Sequence, residues 1–263
     1  MYIERMFEKR YELFGESVFT SFRSYEGSIP YLAKHLNRLW RHSCQAFALS
    51  LSYEHFYELF LKNLSIEETA LKKPNHYFRL TFFSNEPADL NISYFDLDSF
   101  ELNIITKPLS KTENQEQSLA LEMSPFGASY PVLKTGNYFP HLYFRRKAIN
   151  SGYTDVLFYN EKGNILEAST SNIVFQFKEN FLIPRSSQIF EGITLMAFQD
   201  FCQQQSISYS EVEIHINDLE DFTGAFLLNS VKGPSKVISI NDISFKSDDD
   251  MMSEFIAFLK EQQ

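Results

Sequence analysis

An α+β fold in two domains, residues 1–114 and 115–263, is the architecture that the sequence predicts. Three observations lead there. Apolar residues recur at helical spacing in some segments and form alternating or short continuous runs in others, so helices and strands are interleaved on both sides of the middle of the chain. At 263 residues, with 44% hydrophobic and 22% charged, the chain can bury more than one core and has the balance of a folded protein. Between the two halves, "LSKTENQEQS" is polar and without periodicity, which reads as a linker near residues 111–120.

Each element has its own signal. "SVFTSFRS" predicts a strand over 17–24, and Glu26-Gly27 a turn. Leu32, Leu36, Leu39, Trp40 and Cys44 follow helical spacing, predicting a helix near 31–48 with these residues as its core stripe. "YEHFYELFLKNLS" is a second helix, followed by strand-like "HYFRLTFFS" and "ELNIITKP". Beyond the linker come the apolar "LALEMS", a helix reaching about residue 151, and two strands joined by a Lys162-Gly163-Asn164 turn. Further strands are expected in "NIVFQF", "FLIPR", "GAFLLNS" and "VISIND", and helices in "GITLMAFQDFCQQQ" and "SDDDMMSEFIAFLKEQQ". In the last, Asp248 to Asp250 put negative charge at the helix N-terminus, where the backbone dipole favours it. The 27 Phe and 14 Tyr imply an aromatic-heavy core.

Bulk charge removes some functions. A net charge of −10 opposes binding to nucleic acid or to an anionic membrane. Cys44 and Cys202 lie far apart with no paired spacing, so neither a disulfide framework nor a metal site is expected, and a reducing cytoplasm fits. The start "MYIERMFEKR" lacks the apolar run of a signal peptide, and no segment approaches a membrane span, so a cytoplasmic protein is expected.

The segment "PVLKTGNYFPHL", residues 131–142, raises the chemical question. Lys134 follows an apolar run and precedes a glycine and two aromatics. It reads either as a solvated loop residue before an amphipathic helix, or as an amine whose apolar setting lets it attack a carbonyl and form a Schiff base. The commonest protein-bound carbonyl belongs to pyridoxal phosphate. Its phosphate needs an arginine and free N–H groups at a helix start, and its pyridine nitrogen needs a carboxylate. "EGIT" offers Gly192-Ile193-Thr194 at a helix start, "GNILEASTSN" offers Glu167, and "HLNRL" offers Arg38. Singly, each has an ordinary reading: a helix cap, turn chemistry and a solvated helix-face arginine.

Taken in order, "HLNRL", "KTGNY", "GNILEASTSNI" and "EGIT" resemble the signatures of the fold-type IV pyridoxal-phosphate enzymes. These are branched-chain and D-amino-acid aminotransferases and aminodeoxychorismate lyase. The resemblance runs from about residue 14 to the C-terminal sheet. It implies a small N-terminal α/β domain, a larger pseudo-barrel α/β domain and a homodimer with its active site at the domain junction. It makes Lys134 the Schiff-base lysine and proton carrier, and Glu167 the partner of the pyridine nitrogen. Arg38, the backbone of Ile193 and Thr194, and Ser230 fall at the family's phosphate positions, and Tyr138 at a tyrosine that approaches the cofactor ring. Departures are a shortened N-terminus before "YELFGESVF", Leu195 where many members carry arginine, and Ala168 where glycine is frequent.

Within the family, "NSVKGPSKV" looks like the lyase pattern and implies Asn229 at the substrate. "HYFRL" resembles the Tyr-x-Arg of branched-chain aminotransferases, whose arginine, here Arg79, meets a substrate carboxylate. The reading favoured is a lyase converting 4-amino-4-deoxychorismate to 4-aminobenzoate and pyruvate. The alternative is transamination of branched-chain or D-amino acids, and a non-catalytic metabolite-binding protein is a further class.

Overall fold

The computed structural model describes residues 9–25, 28–71, 74–88, 96–109, 116–129, 132–246 and 249–262. The turn expected at Glu26-Gly27, residues 111–115 of the expected linker, Pro131 and Asp248 lie outside them, whereas residues 117–120, also expected as linker, are strand, drawn into the sheet by pairing with a neighbouring strand. The chain forms two compact units, Met1–Leu109 with Leu133–Tyr138, and Ser110–Val132 with Phe139–Gln262.

In the first unit, α1 (Arg10–Leu13) leads into β1 (Ser17–Arg23), followed by α2 (Leu32–Ala46), α3 (Tyr53–Leu71), β2 (His76–Ser84) and β3 (Phe100–Pro108). The strands form an antiparallel sheet in the order β1-β2-β3. Alternation along β2 buries Phe78, Leu80 and Phe82, as a strand with one covered face requires. Leu36 and Leu39 are buried in the same cluster as Phe22 and Phe56, and Leu32, Trp40 and Cys44 pack on it partly covered, so the predicted stripe is the core face of α2. Phe82 stacks on Phe100 with centroids 5.0 Å apart, and Phe22 on Phe78 at 5.6 Å.

The second unit contains β4 (Gln117–Met123), α4 (Phe139–Asn150), β5 (Asp155–Tyr159), β6 (Ile165–Ala168), β7 (Asn172–Phe177) and β8 (Asn180–Pro184). It continues with α5 (Ile193–Gln204), β9 (Tyr209–Val212), β10 (Gly224–Asn229), β11 (Gly233–Ile240), β12 (Ile243–Ser244) and α6 (Asp249–Glu261). Its nine-stranded mixed sheet has the order β6-β5-β4-β11-β10-β7-β8-β9, with β12 beside β11, and curls into a half-barrel. The β5–β6 hairpin turns at Gly163, whose φ of +80° suits glycine and where a Cβ would overlap the His215 ring. On the helical side, Phe198, Phe201 and Phe255 form a cluster with centroids 5.3 to 6.4 Å apart. The sequence had no signal for β9: "YSEV" is short and half-exposed, and its strand form comes from parallel pairing with β8 at the sheet edge.

Candidate functional site

The candidate residues form one cluster in each unit. In the first, the segment carrying Lys134 lies along β1. The Phe19 N–H donates to the Lys134 carbonyl at 2.8 Å, and the Gly136 N–H to the Ser17 carbonyl at 2.7 Å. Glycine at 136 allows this approach, because a Cβ there would overlap Ser17 Oγ. On its other side, the Lys134 N–H donates to His42 Nδ1 at 3.2 Å. The peptide that bears the amine is therefore held from both a strand and a helix.

The half-buried Lys134 side chain has an aromatic setting. Nζ lies 5.1 Å from the Phe19 ring centroid and 3.4 Å from Tyr138 Oη, and the Tyr138 ring meets Phe19 edge-on at 5.3 Å. Arg79 stands over the same Phe19, its guanidinium carbon 3.6 Å from the centroid, while its Nε donates to Thr81 Oγ1 at 3.2 Å. Two cations therefore stand against one ring.

Arg38 is not a solvated helix-face residue. It is 3% exposed, on the side of α2 that covers β1, and donates to Thr20 Oγ1 at 3.0 Å. Thr20 Oγ1 lies 2.7 Å from Nδ1 of His35, which is itself buried. Burial, then the charges of Arg38 and Lys134, push the His35 pKa well below its ordinary value, so the imidazole is neutral. His35 and His42 stand three residues before and four after Arg38, on one helix face. That spacing was the signal for both in "HLNRLWRH", and the sequence reading passed over it.

In the second unit, Glu167 ends β6 and Asn172 opens β7. The Asn172 amide donates to Glu167 Oε2 at 3.1 Å and to the Phe190 carbonyl at 2.7 Å. A Cβ at Gly192 would overlap Asn172 Oδ1, so the glycine of "EGIT" and the carboxylate of "LEAS" are linked through one buried asparagine. Behind this loop, Ser169 Oγ donates to Asp155 Oδ1 at 2.5 Å, both side chains being buried.

Gly192 is the N-cap of α5, and no side chain caps that helix. The Ile193 and Thr194 N–H groups have no acceptor within the helix, the usual state of a first turn and one that favours an anion. Thr194 Oγ1 lies 2.8 Å from Ser230 Oγ, so two hydroxyls stand at this helix start. Asn229 shapes the turn into β11: its Oδ1 accepts from the Val231 and Lys232 N–H groups at 2.8 and 2.9 Å, and its Nδ2 donates to the Thr170 carbonyl at 2.7 Å. Lys232, half-buried here, has its pKa lowered by burial and by Arg145, with Asp155 opposing.

Each cluster carries chemistry that suits pyridoxal phosphate: the first an amine against aromatic faces and a buried arginine, the second a carboxylate held by an amide and an uncapped helix start with hydroxyls beside it. Among the described residues no cluster of His, Cys, Asp or Glu could hold a metal ion, and no helix is long and apolar enough to cross a membrane.

Known proteins match in the same sense. A protein from Rickettsia conorii assigned as a branched-chain-amino-acid aminotransferase is 23% identical over 232 residues, 86% of this chain and 78% of the relative. A crystal structure from Legionella pneumophila, of a protein assigned as a 4-amino-4-deoxychorismate lyase, superposes with a TM-score of 0.83 at 22% identity, covering 100% of this chain and 97% of that one. A hypothetical aminotransferase from Mycobacterium tuberculosis, in a form bound to α-ketoglutarate and pyridoxamine phosphate, has a TM-score of 0.80 at 15% identity, covering 98% and 93%. At these identities the structures establish the fold, that of the fold-type IV pyridoxal-phosphate enzymes. The sequence model of the amino-transferase class IV family matches residues 17–240, and this chain therefore belongs to that family, whose members work with pyridoxal 5'-phosphate.

Proposed function

We propose that this enzyme is a 4-amino-4-deoxychorismate lyase, releasing 4-aminobenzoate and pyruvate. The observation that carries this reading is the Asn229-Ser230 turn: the asparagine builds it through three hydrogen bonds, and the serine hydroxyl stands beside Thr194 at the start of α5. The "NSVKG" pattern there is the one that looks like the lyases, and the Legionella protein with the same fold is assigned that activity.

In this reading each residue has a defined task. Lys134 Nζ would hold the cofactor by its aldehyde until the substrate amine takes its place, and the amine so freed would move the proton of the substrate carbon that bears the amino group, with Tyr138 Oη orienting it. Glu167 holds a proton on the pyridine nitrogen, and Asn172 fixes the carboxylate that does so. Arg38, the Ile193 and Thr194 N–H groups and the Thr194 and Ser230 hydroxyls bind the phosphate. Arg79 takes a substrate carboxylate. The cofactor supplies an electron sink that stabilises negative charge at the substrate carbon, and aromatisation of the substrate ring favours loss of pyruvate.

A second reading, transamination of branched-chain or D-amino acids, is favoured by Arg79 in its Tyr-x-Arg context and by the assignment of the Rickettsia relative. A homodimer in the cytoplasm belongs to either reading. It is supported by the exposed apolar residues along α4 and by the free Cys44 and Cys202.

The test is to add freshly generated 4-amino-4-deoxychorismate to cofactor-saturated enzyme and follow 4-aminobenzoate fluorescence, with Lys134→Ala as control. Product that forms only with Lys134 present supports the lyase. No product, with keto acid released from an amino-acid panel, moves the assignment to an aminotransferase.

A further inference from the structure

We infer that His42 is a positioning residue for Lys134, holding its backbone amide so that the amine is presented at a fixed angle. The inference rests on Lys134 being the lysine that binds the cofactor. Two bonds act on this residue's own backbone groups. The Phe19 N–H holds its carbonyl at 2.8 Å, and His42 Nδ1 accepts its N–H at 3.2 Å. The first comes from β1 and the second from α2, so together they fix the rotation of Lys134 about its Cα and hence the direction of its side chain. On its other side the segment is tied to β1 through the Lys134 carbonyl, the Thr135 bridge to Val18 and the Gly136 N–H.

The contact requires one protonation state. Nδ1 accepts only when the imidazole is neutral with its hydrogen on Nε2, since an imidazolium donates from both nitrogens. Three cations among the described residues favour the neutral ring at His42. Arg38 and Arg41 face it from its own helix, Lys134 from the segment packed against it, and burial adds to all three. The pKa falls to about 4, so the acceptor is present throughout the neutral range. A protonated His42 would also be repelled by the Lys134 ammonium.

Two substitutions separate the hydrogen bond from mere bulk. His42→Leu keeps an apolar volume and removes the acceptor, whereas His42→Asn places Oδ1 near the position of Nδ1. Three measurements would be made on wild type and both variants: hydrogen exchange of the Lys134 amide in the cofactor-free protein, the absorbance titration of the bound cofactor, and the site of the borohydride-trapped adduct by peptide mapping. Loss of a hydrogen bond of ordinary strength corresponds to roughly five- to tenfold faster amide exchange in His42→Leu. The cofactor titration should also shift in that variant, kcat should fall with KM little changed, and His42→Asn should recover most of each effect.

Unchanged exchange and titration in His42→Leu, with the adduct on Lys134, would overturn the inference alone. His42→Asn behaving like His42→Leu would overturn it as well, because the claim is an acceptor rather than a filled space. An adduct on another lysine in the wild type would overturn the assignment of Lys134 and this inference with it, whatever the exchange rates.

Discussion

Asn172 couples Glu167 and Gly192, which stand 25 residues apart, and its environment makes the coupling testable. Its amide holds Glu167 and the Phe190 carbonyl, while its oxygen occupies the space that a Cβ at Gly192 would need. Gly192→Ala should displace that amide and release the carboxylate. Losing such a buried bond costs about 1–3 kcal/mol, roughly five- to a hundredfold in cofactor affinity or rate. Cofactor titration by quenching of protein fluorescence would measure it, and adding Asn172→Ala to Gly192→Ala should do little more, since both remove the same contact. Glu167→Gln should still bind cofactor and lose most of its turnover; equal activity would mean that this carboxylate does not hold the ring nitrogen. The histidines add a pH dependence. His42 titrates at about 4 in the folded protein against an ordinary 6.5, and His35 is lowered in the same direction, so the unfolded chain takes up more protons between those values. Their contribution to stability is whole above about pH 6.5 and is lost as pH falls toward 4. Thermal unfolding should show a falling Tm across that window, and His42→Asn should flatten the fall; an unchanged slope would mean that His42 is not buried neutral.

At the scale of elements, the lysine segment is held as an edge on β1 although nothing in "VLKTGNY" alternates like a strand. Its pairing depends on Gly136 reaching Ser17 closely enough for an N–H to carbonyl bond of 2.7 Å. Gly136→Ala would set a methyl against Ser17 Oγ and push the segment outward, with the Gly15 carbonyl oxygen also tight at 3.1 Å and the Ser17 Cβ at an ordinary 3.5 Å. Gly136→Ala should therefore cost about 1–3 kcal/mol, as overpacking does, and Ser17→Ala in the same chain should restore the part due to the hydroxyl. Denaturant unfolding of the four proteins in that cycle would measure the coupling, and strictly additive losses would refute the overlap. Helices and strands whose side chains decide their form were legible: the stripe of α2, the alternation of β2 and the Gly163 hairpin each follow from local pattern. Elements that a neighbour decides were not. β9 exists because β8 offers an edge, and the lysine segment is extended because β1 does.

The same division holds for the whole molecule. The family could be read from the order of short motifs, because a cofactor with an aldehyde, a phosphate and a pyridine nitrogen demands a particular partner for each. The residues that orient those types were hidden: Arg38 bonds Thr20 from 18 positions away and Lys134 bonds His42 from 92, separations at which no local pattern survives. Burial was equally unreadable, since only the packed structure takes Arg38 from a helix surface to 3% exposure. One surface feature bears on assembly. Along α4, Phe139, Leu142, Tyr143 and Ile149 fall on one face and stay exposed, Phe139 by 66% and Tyr143 by 51%, while Ala148 is buried and Phe144 packs against Phe158. A stripe of large apolar side chains left in water is covered at low cost by a second copy of the same chain, and a two-fold axis lets one patch serve both partners. With Phe139→Glu and Tyr143→Glu together, the like charges would face each other across such an axis and oppose pairing. Light scattering after size exclusion should then give a two-chain mass for the wild type and a one-chain mass for the double variant. A wild-type monomer, or a variant that remains a dimer, would show that α4 does not form the interface.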